Sequence, residues 1–120
     1  MMKDFSLELK TTVAEVDAIV LAQLPKVEGQ QKTVLEAMQY SVAAGGKRIR
    51  PILVQKCYAL YKDRKGTGWD RFMKPVVEAF MGAIEMIHTF SLCHDDLPCM
   101  DGDQYRRGQE STWYRFGEDM

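Results

Sequence analysis

The chain has 120 residues, 46% of them hydrophobic and 28% charged, with a formal net charge of −1. That length holds one domain or part of one, and this composition excludes a disordered or collagen-like chain. The near-zero charge excludes a general electrostatic pull toward nucleic acid or acidic lipid, so no nucleic-acid partner is expected.

Cys57, Cys93 and Cys99 are an odd number of cysteines without a C-x-x-C pair. They argue against a disulfide framework and fit a reducing, cytoplasmic compartment. Lys3 and Asp4 follow the first two methionines, and no apolar run approaches ~20 residues. Neither a signal peptide nor a membrane span is therefore expected.

In chain order, Leu9, Val13, Val16, Val20 and Leu24 recur at three- and four-residue steps, one apolar helical stripe closed by Pro25. Gly29-Gln30-Gln31 reads as a connector. Thr33 and Glu36 have the spacing of a capping box, which predicts a second helix through Met38 and Val42 that stops at Gly45-Gly46. Pro51 suits the first turn of a third helix, and "ILVQKCYALY" after it is apolar nearly all round, which predicts burial. "DRKGTGWD" reads as a loop. The longest helical pattern runs from about Asp70 to His94, with Phe72, Val76, Phe80, Ile84 and Ile87 expected inward and Glu78, Glu85 and His88 interrupting. No strand alternation or repeat is present, so the class is all-α, an antiparallel bundle or part of one.

Two stretches carry chemistry. "CHDDLPCMDGDQYRRG", residues 93–108, gathers Asp95, Asp96, Asp101 and Asp103 ahead of Arg106 and Arg107. Like charges at such spacing repel unless something neutralises them, and oxygen ligands of this kind suit a hard cation such as Mg²⁺ with phosphate oxygens completing its shell. On a regular helix Asp95 and Asp101 would point some 120° apart. Pro98 cannot continue the helical ladder, so a two-residue bulge is expected to return Asp101 to the side of Asp95. His88 lies seven residues before Asp95 and shares its face.

"GGKRIRP", residues 45–51, is the second stretch: two glycines free the backbone, and Lys47 and Arg50 supply charge where a helix begins. It is not a P-loop, since Ser41 and Arg48 stand where that motif needs a glycine and a hydroxyl residue. Plainer readings compete with each motif. A basic turn can simply be solvated, acids can crowd a helix-end loop, and His88 can be a core histidine. A zinc site from His88, Cys93, His94 and Cys99 would match no common spacing. Taken together, an acid cluster, two basic sites and an apolar helical channel describe a site for a molecule with a diphosphate head and a greasy tail.

Gly45-Gly46-Lys47-Arg48-Ile49-Arg50-Pro51 followed by "EMIHTFSLCHDDLPCMDGDQYRRG" resembles the trans-prenyltransferase (polyprenyl synthase) family, most closely its bacterial short-chain farnesyl diphosphate synthases. The resemblance runs from about Met38 to the end of the chain and implies the all-α isoprenoid synthase bundle. It implies that Asp95 and Asp101 bind Mg²⁺ holding an allylic diphosphate (dimethylallyl or geranyl), with Asp96 in support and Arg106 on the same diphosphate. Lys47, Arg50, His88 and Arg107 would hold isopentenyl diphosphate. Phe90 and Ser91, five and four residues before Asp95, would set product length, and an aromatic there together with the two-residue bulge around Pro98 goes with a fifteen-carbon product. Asp103-Gln104-Tyr105 departs from the family's usual acids before the arginines, leaving the part of Asp103 open.

No second aspartate-rich motif follows, so residues 1–120 are expected to be the N-terminal portion of one such domain and inactive alone, with self-association or a homodimer covering apolar surface. Geranylgeranyl or geranyl diphosphate synthesis, a non-catalytic subunit of a heteromeric synthase and a structural helical module are the alternatives.

Overall fold

In the computed structural model, which describes residues 4–120, the elements are α1 (Phe5–Ala22), α2 (Lys32–Ala43), α3 (Ile49–Lys62), α4 (Thr67–Asp96), β1 (Tyr105–Arg106), β2 (Gln109–Glu110) and α5 (Thr112–Phe116). The all-α class holds. The two short strands, a hairpin that alternation could not announce at two residues each, are the exception. The chain divides into two compact units, one of residues up to Gln23 with Gly46–Glu85, the other of Leu24–Gly45 with Met86–Met120.

In the first unit α1 packs on α3. The Asp4 side chain accepts the Ser6 N–H at 3.0 Å and caps α1, whose buried positions are Thr12, Val16 and Val20. Val16 and Val20 fall on the expected stripe, whereas Thr12 does not; Leu9 is 42% exposed and Leu24 lies beyond the helix end. Helix α3 departs from expectation. Pro51 is its only buried residue, while Leu53 and Leu60 are 58% and 76% exposed. Among the described residues α1 is its main neighbour, and one neighbour covers one side of a helix.

Helix α4 starts at Thr67, so "DRKGTGWD" is only half loop. Its phase is also the reverse of the expectation. Met81, Gly82, Glu85 and Thr89 are buried, whereas Phe72, Phe80 and Ile87 are 74%, 65% and 68% exposed, with Val76 and Ile84 exposed as well. Glu85 turns inward because a buried arginine, Arg48, meets it there. Within Gly68–Asp96 this helix is long and apolar enough, by length and composition, to cross a membrane: its most apolar 18-residue window has a mean hydropathy of 1.4. Counting uninterrupted apolar runs missed it. The buried Arg48–Glu85 pair is the arrangement of a helix face turned to protein.

In the second unit α2 packs on α5. The capping box does not form. Helix α2 begins at Lys32, ahead of Thr33, with Gln31 at its N-cap and no side-chain cap. Glu36 pairs instead with Lys32 at 3.7 Å, one helical turn away. Helix α2 ends before Gly45, whose φ of 85° suits the left-handed exit glycine allows. The Ser41 and Thr112 hydroxyls meet at 2.6 Å, and the Tyr40 hydroxyl donates to the Glu110 carbonyl at 2.7 Å, tying α2 to β2 and to the start of α5.

Candidate functional site

The acidic loop is built at the C-terminal end of α4. Asp96 is the last helical residue and Pro98 has no N–H to continue the ladder. The helix does not bulge and resume, as expected; it stops. The Met100 and Gly102 amides donate to the Leu97 carbonyl at 2.8 and 3.0 Å, with Gly102 at a φ of 66°. The Asp101 amide then donates to the Asp95 carbonyl at 2.9 Å. Asp101 thus comes back to Asp95 by loop closure rather than by a bulged helix, and both side chains are exposed.

An exposed aspartate pair on one closed loop fits Mg²⁺, which takes one or two carboxylates and fills its shell with water and phosphate oxygens. The donor set is all oxygen. Among the described residues no three His, Cys, Asp or Glu side chains gather as a self-sufficient metal cage would need. A zinc site from His88, Cys93, His94 and Cys99 does not form. His94 Nδ1 stands 3.9 Å from Asp95 Oδ1, a contact between two half-exposed groups.

Asp96 is one residue from Asp95 and about 100° around the helix. That rotation buries it to 2% exposure. Its carboxylate receives Arg106 Nε on Oδ2 and Nη2 on Oδ1, both at 2.7 Å. The Arg106 guanidinium is held above its already high ordinary pKa, chiefly by this hydrogen-bonded pair, with burial opposing and the Asp96 charge adding to it. It therefore stays a cation at any working pH. Arg106 sits on β1, whose hairpin turns at Arg107-Gly108 with φ of 52° and 79°, the sense of a type I′ turn. That turn directs Arg107 Nη1 to donate to the Gly45 carbonyl. The Asp103 carbonyl accepts the Ser111 hydroxyl at 2.7 Å and Trp113 Nε1 at 2.8 Å, which fixes the loop between the acids and the strand.

The basic turn belongs to the first unit. Lys47 and Arg50 are exposed, as an anion site requires, while Arg48 between them is 2% exposed. Arg48 reaches Glu85 at 3.1 Å and Asp17 at 2.7 Å from a left-handed backbone at φ 52°. Sequence reading singled out its neighbours and missed this anchor, whose signal was the pair of acids, Asp17 and Glu85, on otherwise apolar faces.

His88, Phe90 and Ser91 share the unbroken α4 with Asp95. His88 is half-buried. The Ser91 hydroxyl donates back to the His88 carbonyl at 2.6 Å. The Phe90 ring stands 6.2 Å from that of His94 and helps line an apolar cavity of about 320 Å³ together with Val34, Met38, Met86 and Met120.

Comparisons with known proteins identify the family and the fold. The profile of the polyprenyl synthetase family matches residues 31–120. A relative from Haemophilus influenzae named farnesyl diphosphate synthase is 37% identical over 117 residues, which is 98% of this chain and 37% of that protein. The large subunit 1 of a heterodimeric chloroplastic geranylgeranyl pyrophosphate synthase from Arabidopsis thaliana is 46% identical over 85 residues, 71% of this chain and 20% of that one. A crystal structure described as an FPP/GFPP synthase from Zymomonas mobilis superposes with a TM-score of 0.73 at 35% identity, covering 95% of this chain and 38% of that one. The chain thus spans well under half the length of these relatives.

Proposed function

The chain belongs to the polyprenyl synthetase family, and on that premise we propose that it serves the condensation of an allylic diphosphate with isopentenyl diphosphate to a short-chain prenyl diphosphate. The observation that carries this reading is the loop closure that joins Asp95 and Asp101, with Arg106 on the strand that follows.

Asp95 and Asp101 are the residues that would hold Mg²⁺, with Arg106 beside the allylic diphosphate. Lys47, Arg50, His88 and Arg107 would take isopentenyl diphosphate. Bound Mg²⁺ supplies charge neutralisation to the departing diphosphate, which lowers the barrier to breaking the allylic carbon–oxygen bond. Arg106 donates hydrogen bonds where negative charge grows as that bond breaks, so it binds the transition state better than the ground state. Apolar residues near Phe90 keep water from the allylic cation until the isopentenyl double bond attacks it. None of this chain's side chains is assigned the final proton, and the released diphosphate is the base available to take it.

Fifteen carbons is the product length favoured, supported by the aromatic ring of Phe90 on the apolar cavity. A geranylgeranyl or geranyl product, or a place in a heteromeric synthase, is the alternative. The last is favoured by similarity to a protein named as one subunit of a heterodimer. Three free cysteines support a reducing compartment such as the cytoplasm.

Calorimetry of the protein with geranyl diphosphate tests the reading. Heat of binding that needs Mg²⁺ and disappears in Asp95→Asn and Asp101→Asn is the expected result. Absent binding, or binding indifferent to chelation of the metal, refutes it.

A further inference from the structure

We infer that Asp96 is not a magnesium ligand but a positioning residue, one that sets the plane of Arg106 toward the diphosphate. This rests on the function proposed above and assigns a role to the one aspartate of the pair that the family resemblance left merely supporting. Asp95 and Asp96 are neighbours with the same side chain, yet their surroundings differ completely. Asp95 is exposed with no closer charged contact than His94 at 3.9 Å. Asp96 is 2% exposed, and each of its oxygens accepts a 2.7 Å charged hydrogen bond.

A metal would have to displace those two donors and draw the carboxylate out of burial. Removing a buried carboxylate from its paired arginine is unfavourable, and Mg²⁺, which gives up water reluctantly, is a poor agent for it. The pair has the opposite use. Nε and Nη2 together form the two-pronged edge of a guanidinium, and holding both on one carboxylate fixes the plane of the group as well as its position. The Arg106 side chain is 32% exposed, so the group is pinned on one edge and open on another, and Nη1 makes no hydrogen bond among the described residues.

Its backbone could not do this alone, because a two-residue strand is too short to hold a long side chain in one direction. The loop between Asp101 and Arg106 is itself pinned at the Asp103 carbonyl by Ser111 and Trp113. Helix end, loop and strand therefore present one preorganised edge. Preorganised donors are worth more than mobile ones, since they need no reordering as charge develops.

The test is nuclear magnetic resonance of the Arg106 side-chain Nε–H, joined to calorimetry with Mg²⁺ alone and with Mg²⁺ plus inorganic diphosphate. In the wild-type protein the Nε–H signal is expected to be resolved, slow to exchange and unmoved by Mg²⁺. Asp96→Asn and the charge-retaining Asp96→Glu are expected to weaken diphosphate binding roughly tenfold or more while leaving affinity for Mg²⁺ alone unchanged. On an Arg106→Ala background the same changes should add nothing further to the loss of diphosphate affinity.

Three results overturn the inference. Loss of the Nε–H signal on adding Mg²⁺, or an Asp96→Asn loss of Mg²⁺ affinity as large as that of Asp95→Asn, makes Asp96 a ligand. A folded Asp96→Glu protein with unaltered diphosphate affinity makes the pair a structural bolt only. Wild-type protein that binds no diphosphate while the Nε–H signal persists refutes the proposed function itself, and the positioning role falls with it.

Discussion

Truncating Arg48 should unsettle the first unit far more than truncating either basic neighbour. Arg48 is 2% exposed, and its Nη1 lies 3.1 Å from Glu85, whose side chain is 4% exposed. Arg48→Ala leaves that carboxylate buried without a counter-charge, a loss of about 3–5 kcal/mol when one partner of a buried pair is removed. The second arm, to Asp17 at 2.7 Å, adds little, because the Asp17 side chain is 38% exposed and regains water. A backbone term separates two variants. Arg48 sits at a φ of 52°, where a side chain costs about 1 kcal/mol that glycine avoids. Arg48→Gly should therefore be milder than Arg48→Ala by about that amount.

Since a whole domain is stable by only about 5–15 kcal/mol, either change removes a large share. Denaturant unfolding followed by circular dichroism gives the order wild type, Arg48→Gly, Arg48→Ala. A double change of Arg48 and Glu85 to Ala, which leaves no buried charge behind, should be no worse than Arg48→Ala alone. An Arg48→Ala protein within about 0.5 kcal/mol of wild type, or strictly additive losses in the double variant, would show the pair to be solvated and refute the reasoning.

In prenyl-transfer assays of an enzyme carrying these residues, Asp95→Ala or Asp101→Ala should lower turnover by several orders of magnitude, about 4 kcal/mol or more of transition-state stabilisation. Unchanged turnover removes both from the metal site. Lys47→Ala and Arg50→Ala should raise the KM for isopentenyl diphosphate, and an effect confined to the allylic substrate would reverse the two diphosphate assignments. Phe90→Ala should lengthen the product toward twenty carbons, read by chromatography after dephosphorylation; its ring is exposed enough that the fold should tolerate the change. The exposed row of Phe72, Phe80 and Ile87 on α4 should drive self-association, and monodisperse monomer in light scattering would argue against it.

The order of helices, the all-α class and the spacing of the acids were legible in the chain itself. Periodicity, proline and glycine act on a few neighbouring residues, so Pro25, Gly45 and Pro98 mark helix ends whatever packs nearby. The return of Asp101 to Asp95 was legible for the same reason, although the route, a stopped helix and a closed loop, was not. Caps were less secure: Thr33 and Glu36 have the right spacing, but the helix takes its N-cap two residues earlier, at Gln31, and Glu36 pairs with Lys32 instead.

Which face is covered was decided only by tertiary structure. A stripe such as Phe72–Val76–Phe80–Ile84–Ile87 is apolar by sequence, but burial depends on whether a neighbour lies against it, and the described neighbours lie against Met81, Glu85 and Thr89 instead. The same holds one residue at a time. Asp95 and Asp96, or Lys47 and Arg48, are nearly interchangeable as letters, and a step of one residue swings a side chain about 100° around a helix or through a left-handed turn. In each pair that swing leaves one charge in water, free to meet a ligand, and places the other against an opposite charge in the interior.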